Sequence, residues 1–330
     1  MATESSKSAT AQEKPSILTK ALSALRLRYR HWVIYFAFLV LIVGFSLASP
    51  QFMTFSNIIN ILRQTSILAI MAFAMTFVLT AGEIDLSVGS VMAVGSLVAS
   101  VVLRDGGHWL AASVAGIGSG LAFGAFNGVL TTKAKIPSFL VTLGTLGIAR
   151  GVALSVTGTL TIVFVNDIFT QVWGVGDVGP IPTLVIWMIV VFVITYFLFN
   201  HTLFGRYVQA TGGNLQAARF SGVNTDRIKL FTLMMSGGAA GLGGLLITAR
   251  LVSGRPYIGQ GYELDVISAV ILGGTSLFGG RGTIVGTLIG ALIIGVINNG
   301  LVLLGVQTNT QMIVKGVIII AAVFFGEKAF

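Results

Sequence analysis

Residues 213–229 read GNLQAARFSGVNTDRIK. This is the longest plainly polar stretch after residue 31. It carries Arg219, Arg227 and Lys229, with Arg206 just upstream, and strongly apolar blocks lie on either side of it. Charge is costly in hydrocarbon, so a polar island of this size must sit in water. The apolar blocks around it then form a membrane body, and residues 201–228 are its largest aqueous loop.

Composition leads to the same place. The chain has 330 residues, 55% hydrophobic and 9% charged, with a mean hydropathy of +0.93. A soluble domain carries about 25% charged residues, and a chain this apolar would expose large apolar patches in water. Its runs are continuous rather than alternating, the pattern of spanning helices and not of barrel strands. The expected fold is an all-α polytopic membrane protein with the lipid bilayer as its first partner.

The net charge of +9 taken alone would fit nucleic acid. Six of the cations, Lys7, Lys14, Lys20, Arg26, Arg28 and Arg30, fall in the first 30 residues, however. Membrane proteins gather cations on one side, so no nucleic-acid partner is expected. There is no cysteine, which excludes disulfides and thiol chemistry. His31, His108 and His201 are scattered at expected helix ends and lack ligand spacing, so no metal site is expected.

Residues 1–30 form a basic cytoplasmic tail, too long for the n-region of an ordinary signal peptide. The rest, 31–330, reads as one transmembrane domain. Trp32–Ala48 is expected to persist as a first span, although Ser46-Leu47-Ala48 has the look of a cleavage site. Further apolar runs cover 58–80, 86–103, 109–132, 138–157, 182–199, 229–250, 264–278, 283–304 and 310–326, giving about ten spans. The run 264–278 is short for about 30 Å of hydrocarbon, and a broken or re-entrant element is the other reading. With both termini cytoplasmic, the inner loops hold Lys133, Lys135, Arg206, Arg219, Arg227, Lys229, Arg281 and Lys328. The long outer loop 158–181 then has no Lys or Arg, in agreement with the positive-inside rule.

Three landmarks occur twice in the same order. Glu83-Ile84-Asp85-Leu86 is echoed by Glu263-Leu264-Asp265-Val266, Asn127-Gly128 by Asn299-Gly300, and Arg150-Gly151 by Lys315-Gly316. The copies fall in spans two to five and seven to ten. An offset of five spans makes them inverted repeats, an architecture common among transporters. Gly116, Gly120, Gly124 and Gly128 recur every four residues, as do Gly282, Gly286 and Gly290. That spacing puts each set on one helix face for close packing.

Ionisable groups within apolar sequence are candidates for function. Arg150 and Lys315 are two of them. Two readings stand side by side: a role in a transport path, or a structural partner such as Glu83, Asp85 or the carbonyl end of a half-helix. Asp85 or Ser87 is placed to cap the third helix, which competes with a proton-relay reading for Glu83 and Asp85. Asn127, Asn298 and Asn299 can bond across helices or to sugar hydroxyls. No Gly-Lys dipeptide occurs, so the phosphate loop G-x-x-x-x-G-K-[ST] is missing. No catalytic set is apparent, and an enzyme is not expected.

Within the polar loop, 215–220 can form a short helix that Gly222 would end. Gln216-Ala217-Ala218, Gly222 and Ile228 resemble the EAA loop of ABC-transporter permeases, with Gln216 in place of the family's glutamate and a shortened spacing from Gly222 to Ile228. Gly82–Ser90 (GEIDLSVGS), Gly212-Gly213-Asn214, Gly261–Asp265, Leu272–Ser276, Gly279-Gly280 and Gly286–Ala291 look like the ribose-type permeases of bacterial sugar ABC importers, from about residue 50 to 326. Gly82–Ser90 is closer to the sugar branch than to the branched-chain amino-acid branch.

The resemblance implies an inner-membrane permease, paired with a second copy or a similar permease. It also implies a cytoplasmic ATPase that carries ATP and its magnesium, and a periplasmic sugar-binding protein; this chain itself would bind no cofactor. The loop 201–228, through Gln216, Ala217, Ala218 and Gly222, would couple the ATPase to the membrane body. An ion-coupled secondary transporter is the competing class, with Glu83 or Asp265 as the coupling acid.

Overall fold

The computed structural model describes residues 35–307, 309–314, 316–318 and 320. The basic tail and Lys315 lie outside these. Helices dominate: α1 Tyr35–Ala48, α2 Phe55–Thr80, α3 Val88–Arg104, α4 Trp109–Thr132, α5 Ser138–Thr157, α6 Asp167–Thr170 with a π-turn over Gln171–Val175, and α7 Thr183–His201. Then come α8 Leu203–Gly213, α9 Leu215–Phe220, α10 Thr225–Leu251, α11 Tyr262–Leu272 and α12 Ile284–Leu303, followed by helical residues at 309–314, 316–318 and 320. Four two-residue strands pair antiparallel: β1 Ile162–Val163 with β4 Ser253–Gly254, and β2 Asp177–Val178 with β3 Ile181–Pro182.

Among the described residues, six helices (α2, α4, α5, α7, α10 and α12) are long and apolar enough to cross a membrane, and α1 and α3 are shorter apolar helices. Their ends follow local chemistry. Thr54, His108 and Thr283 cap α2, α4 and α12 by accepting backbone N–H groups. Gly158, in the left-handed region, ends α5.

The centre is α2. Of its most apolar window 83% is buried, against 28% for α4, α5 and α7. Ile67, Ile70, Phe73, Met75 and Phe77 have no exposed surface. By contrast α7 turns Val193, Ile194 and Phe197 outward, where lipid rather than protein must cover them.

Helix pairing is balanced between the two halves. α4 packs on α10 as α12 packs on α2; α3 lies on α10 as α11 lies on α2; α3 meets α4 as α11 meets α12. The glycine faces carry these contacts. A Cβ at Gly120 would sit 2.2 Å from the Gly237 carbonyl, and one at Gly290 2.0 Å from the Ala269 carbonyl. The helix backbones therefore touch, as four-residue glycine spacing predicts.

The short eighth run takes the broken form. α11 has 11 residues and spans about 16 Å, half the hydrocarbon thickness. The other half is covered by non-helical chain. Gly254 abuts Ser100 and Leu97 of α3, while Gly259 abuts Gly89. The segment 254–261 thus runs alongside most of α3 before α11 begins. Gly89 and Gly259 cross backbone to backbone, since a Cβ on either would lie within 2.3 Å of the other's carbonyl oxygen.

Candidate functional site

The polar loop folds as an arm. Asn214 ends α8 and caps α9, its Oδ1 accepting the Ala217 N–H at 2.9 Å. α9 closes at Phe220, and Gly222 turns the chain with φ +83°. The Val223 N–H donates to the Ala218 carbonyl at 3.0 Å and the Gly222 N–H to the Arg219 carbonyl at 3.0 Å, satisfying the last carbonyls of the helix. Both ends of the helix lie where capping logic predicts. Its residues divide by face: Gln216 and Ala217 are exposed, while Ala218 is buried against the body. Phe220 is 92% exposed. Sequence reasoning missed it, although a bare aromatic in a polar loop is a signal of a partner surface.

Ion pairs fasten the arm. Asp226, in the first turn of α10, accepts from Lys135 at 2.7 Å and from Arg219 at 2.8 Å, and Arg219 Nε donates to Thr225 at 2.9 Å. Lys229, one turn further along α10, pairs with Glu83 in the break between α2 and α3.

The other polar candidates fall into separate groups. Asp85 is fully buried, and its Oδ1 accepts from the Ser87 N–H at 2.9 Å and the Ser87 hydroxyl at 2.6 Å. These bonds hold the N-cap residue of α3 in place of the expected cap, since Ser87 itself makes no side-chain bond to the helix and Asp85 bonds Ser87 rather than an N–H of α3. Asn127 donates to the Ser87 hydroxyl at 3.0 Å and accepts from Thr145 at 2.6 Å, which joins α3, α4 and α5. Arg150 donates to the carbonyls of Pro256 at 2.5 Å and Ile258 at 3.0 Å. Its partner is therefore the backbone of the non-helical entry to α11, not Glu83 or Asp85. Glu263, in the first turn of α11, attracts Arg150 and packs on Gly89. Asn298 donates to Asp265 at 3.4 Å, and Asn299 exchanges amide bonds with Asn57 of α2 at 2.9 and 3.0 Å. Glu83, Asp85 and Asn127 thus cluster around the α2–α3 break, and Arg150, Glu263, Asp265 and Asn298 around α11. Among the described residues no group of three or more His, Cys, Asp or Glu side chains could hold a metal ion.

A multispanning body built of two balanced helix sets, with a polar arm at one end and no phosphate loop, defines the membrane component of a transport system. A family model described as the branched-chain amino acid transport system / permease component matches residues 57–323. The chain belongs to this family and is a multi-pass inner-membrane transport subunit rather than an enzyme.

Its relatives carry sugar names. It is 43% identical to the ribose import permease protein RbsC of Escherichia coli (strain K12) over 320 residues, 94% of this chain and 99% of the relative. It is 38% identical to the D-allose transport system permease protein AlsC of the same strain, over 88% of this chain and 89% of the relative. The xylose transport system permease protein XylH of Haemophilus influenzae is 34% identical, over 89% of this chain and 95% of the relative. No solved structure matches the chain.

Proposed function

We propose that this chain is the permease subunit of an ABC importer for a simple sugar, a ribose-type pentose, a hexose or a related polyol. The observation that carries the reading is the likeness to a ribose import permease over nearly the whole of both chains. In this reading sugar is delivered by a periplasmic binding protein and crosses between two permease copies. A separate cytoplasmic subunit binds ATP and magnesium and drives the change of access. α9, with exposed Gln216, Ala217 and Phe220, seats on that subunit. About ten spans with both termini cytoplasmic, arranged as an inverted repeat, belong to this reading; the balanced pairing of the helices supports the repeat, and the loop charges support the orientation.

The test is a pull-down of the tagged chain from mild detergent, paired with uptake in reconstituted vesicles. Wild type should bring down an ATPase subunit, and replacement of residues 216–222 should lose it. Uptake should need ATP and survive collapse of proton and sodium gradients. Uptake that stops with the gradient and ignores ATP would make the chain an ion-coupled carrier instead.

A further inference from the structure

The break between α2 and α3 is held from both ends of the arm. At the arm's root, Gly212 lies against the last carbonyl of α2: a Cβ there would be 1.9 Å from the Thr80 oxygen. The Gly280 N–H donates to that same oxygen at 2.9 Å, and Gly279 lies against both Gly82 and Gly212. Residues 80–82, 212–213 and 279–280 therefore meet backbone to backbone, with no side chain between them to absorb movement. At the arm's exit, Lys229 reaches back to Glu83, and only 19% of its side chain and 7% of that of Glu83 are exposed. With both groups largely out of water, loss of either partner would leave the other charge buried and uncompensated.

Motion that enters at 80–83 has somewhere to go. The Ile84 N–H donates to Ser138 at 3.1 Å, and its carbonyl accepts from Thr142 at 3.2 Å, both on the first turns of α5. Just before α3, the Ser87 hydroxyl donates to Asp85 and accepts from Asn127 of α4. One face of α5, at Gly144, Gly147 and Gly151, is not packed against the rest of the chain.

We infer that Glu83 and Lys229 are positioning residues that transmit movement of the arm to the α2–α3 break and so to α5, coupling nucleotide turnover on the partner to opening of the membrane path. The inference rests on the importer reading above. Glu83 then acts at the cytoplasmic end as a mechanical link, and not as a group that meets the cargo.

The test uses the complete transporter in vesicles: this chain, its ATPase and its binding protein. ATP hydrolysed per sugar imported is the readout. The neutral pair Glu83→Gln with Lys229→Met keeps the approximate size of both side chains, removes the bond between them and leaves no buried charge unpaired, and so should assemble. It should go on hydrolysing ATP while the ATP-to-sugar ratio rises at least about five-fold, the low end of a typical coupling between sites. Each single change should raise the ratio about as much as the pair does, because either one breaks the link, and Lys229→Arg should restore it. An unchanged ratio in the neutral pair would overturn the inference. Loss of assembly with the ATPase would overturn it as well, by making the pair merely structural. If wild-type vesicles show no ATP-dependent uptake, the importer reading fails instead, and the two failures are told apart.

Discussion

Asp85 has no exposed surface, and Ser87 supplies both donors to its Oδ1. Asparagine keeps an acceptor oxygen at that place and leucine does not. Asp85→Asn should therefore hold its thermal stability in detergent close to wild type. Asp85→Leu strands the Ser87 N–H and should lose about 1–3 kcal/mol, read as a clear drop in the midpoint of a thermal-shift assay. Gly222 presents a different problem, since it sits at φ +83° with open space beyond it. Gly222→Trp strains that turn and fills the space a partner would occupy. Uptake should vanish while the amount of protein in the membrane, measured by blotting, stays normal. The place of Asp85 beside the start of α3 was legible in the sequence as a local signal, but its bonds to Ser87 in place of a helix cap were not. The partners of Glu83 and Arg150 were not legible: both are set by packing between distant segments, and Lys229 read simply as one more loop cation.

At the scale of elements, the arm was legible and the entry to α11 only in part. Asn214 and Gly222 mark the ends of α9 through bonds to their near neighbours, so its boundaries could be read directly. Hydropathy could flag α11 as short, but it averages over windows and cannot see that 254–261 runs without helix along α3. Phe220 provides the test of the arm. Phe220 is 92% exposed; if α9 seats on the ATPase subunit as proposed, Phe220→Ala should weaken binding of that subunit about tenfold or more, measured by co-purification across a concentration series. The α4–α10 pairing gives a second test. Gly120→Val would drive side-chain atoms into the Gly237 carbonyl, while Gly118 has nothing within 4 Å. Overpacking costs about 1–3 kcal/mol, so Gly120→Val should lower the unfolding temperature in detergent and Gly118→Ala should leave it unchanged.

At the scale of the whole molecule, the sequence indicated a polytopic helical body and the doubled landmarks within it. It could not indicate which helix is the axle, because α2 and α7 are both simply apolar; only packing separates the one closed in by protein from the one open to lipid. That central place has a consequence for how the chain is made. α2 leaves the ribosome early, whereas its partners α10, α11 and α12 are synthesised last. In the interval it has to rest in lipid, where an unpaired hydroxyl is costly. Ser66 and Thr76 bond carbonyls of their own helix, Leu62 at 2.7 Å and Ala72 at 2.9 Å, so these two hydroxyls can wait without a partner helix, whereas the amide pairing of Asn57 must wait for Asn299 of α12. Thr76 then gains Thr287 of α12 at 2.7 Å. A nascent chain stopped before α12 would thus be inserted but not yet closed, and the quality-control proteases of the membrane should recognise it by its uncovered axle.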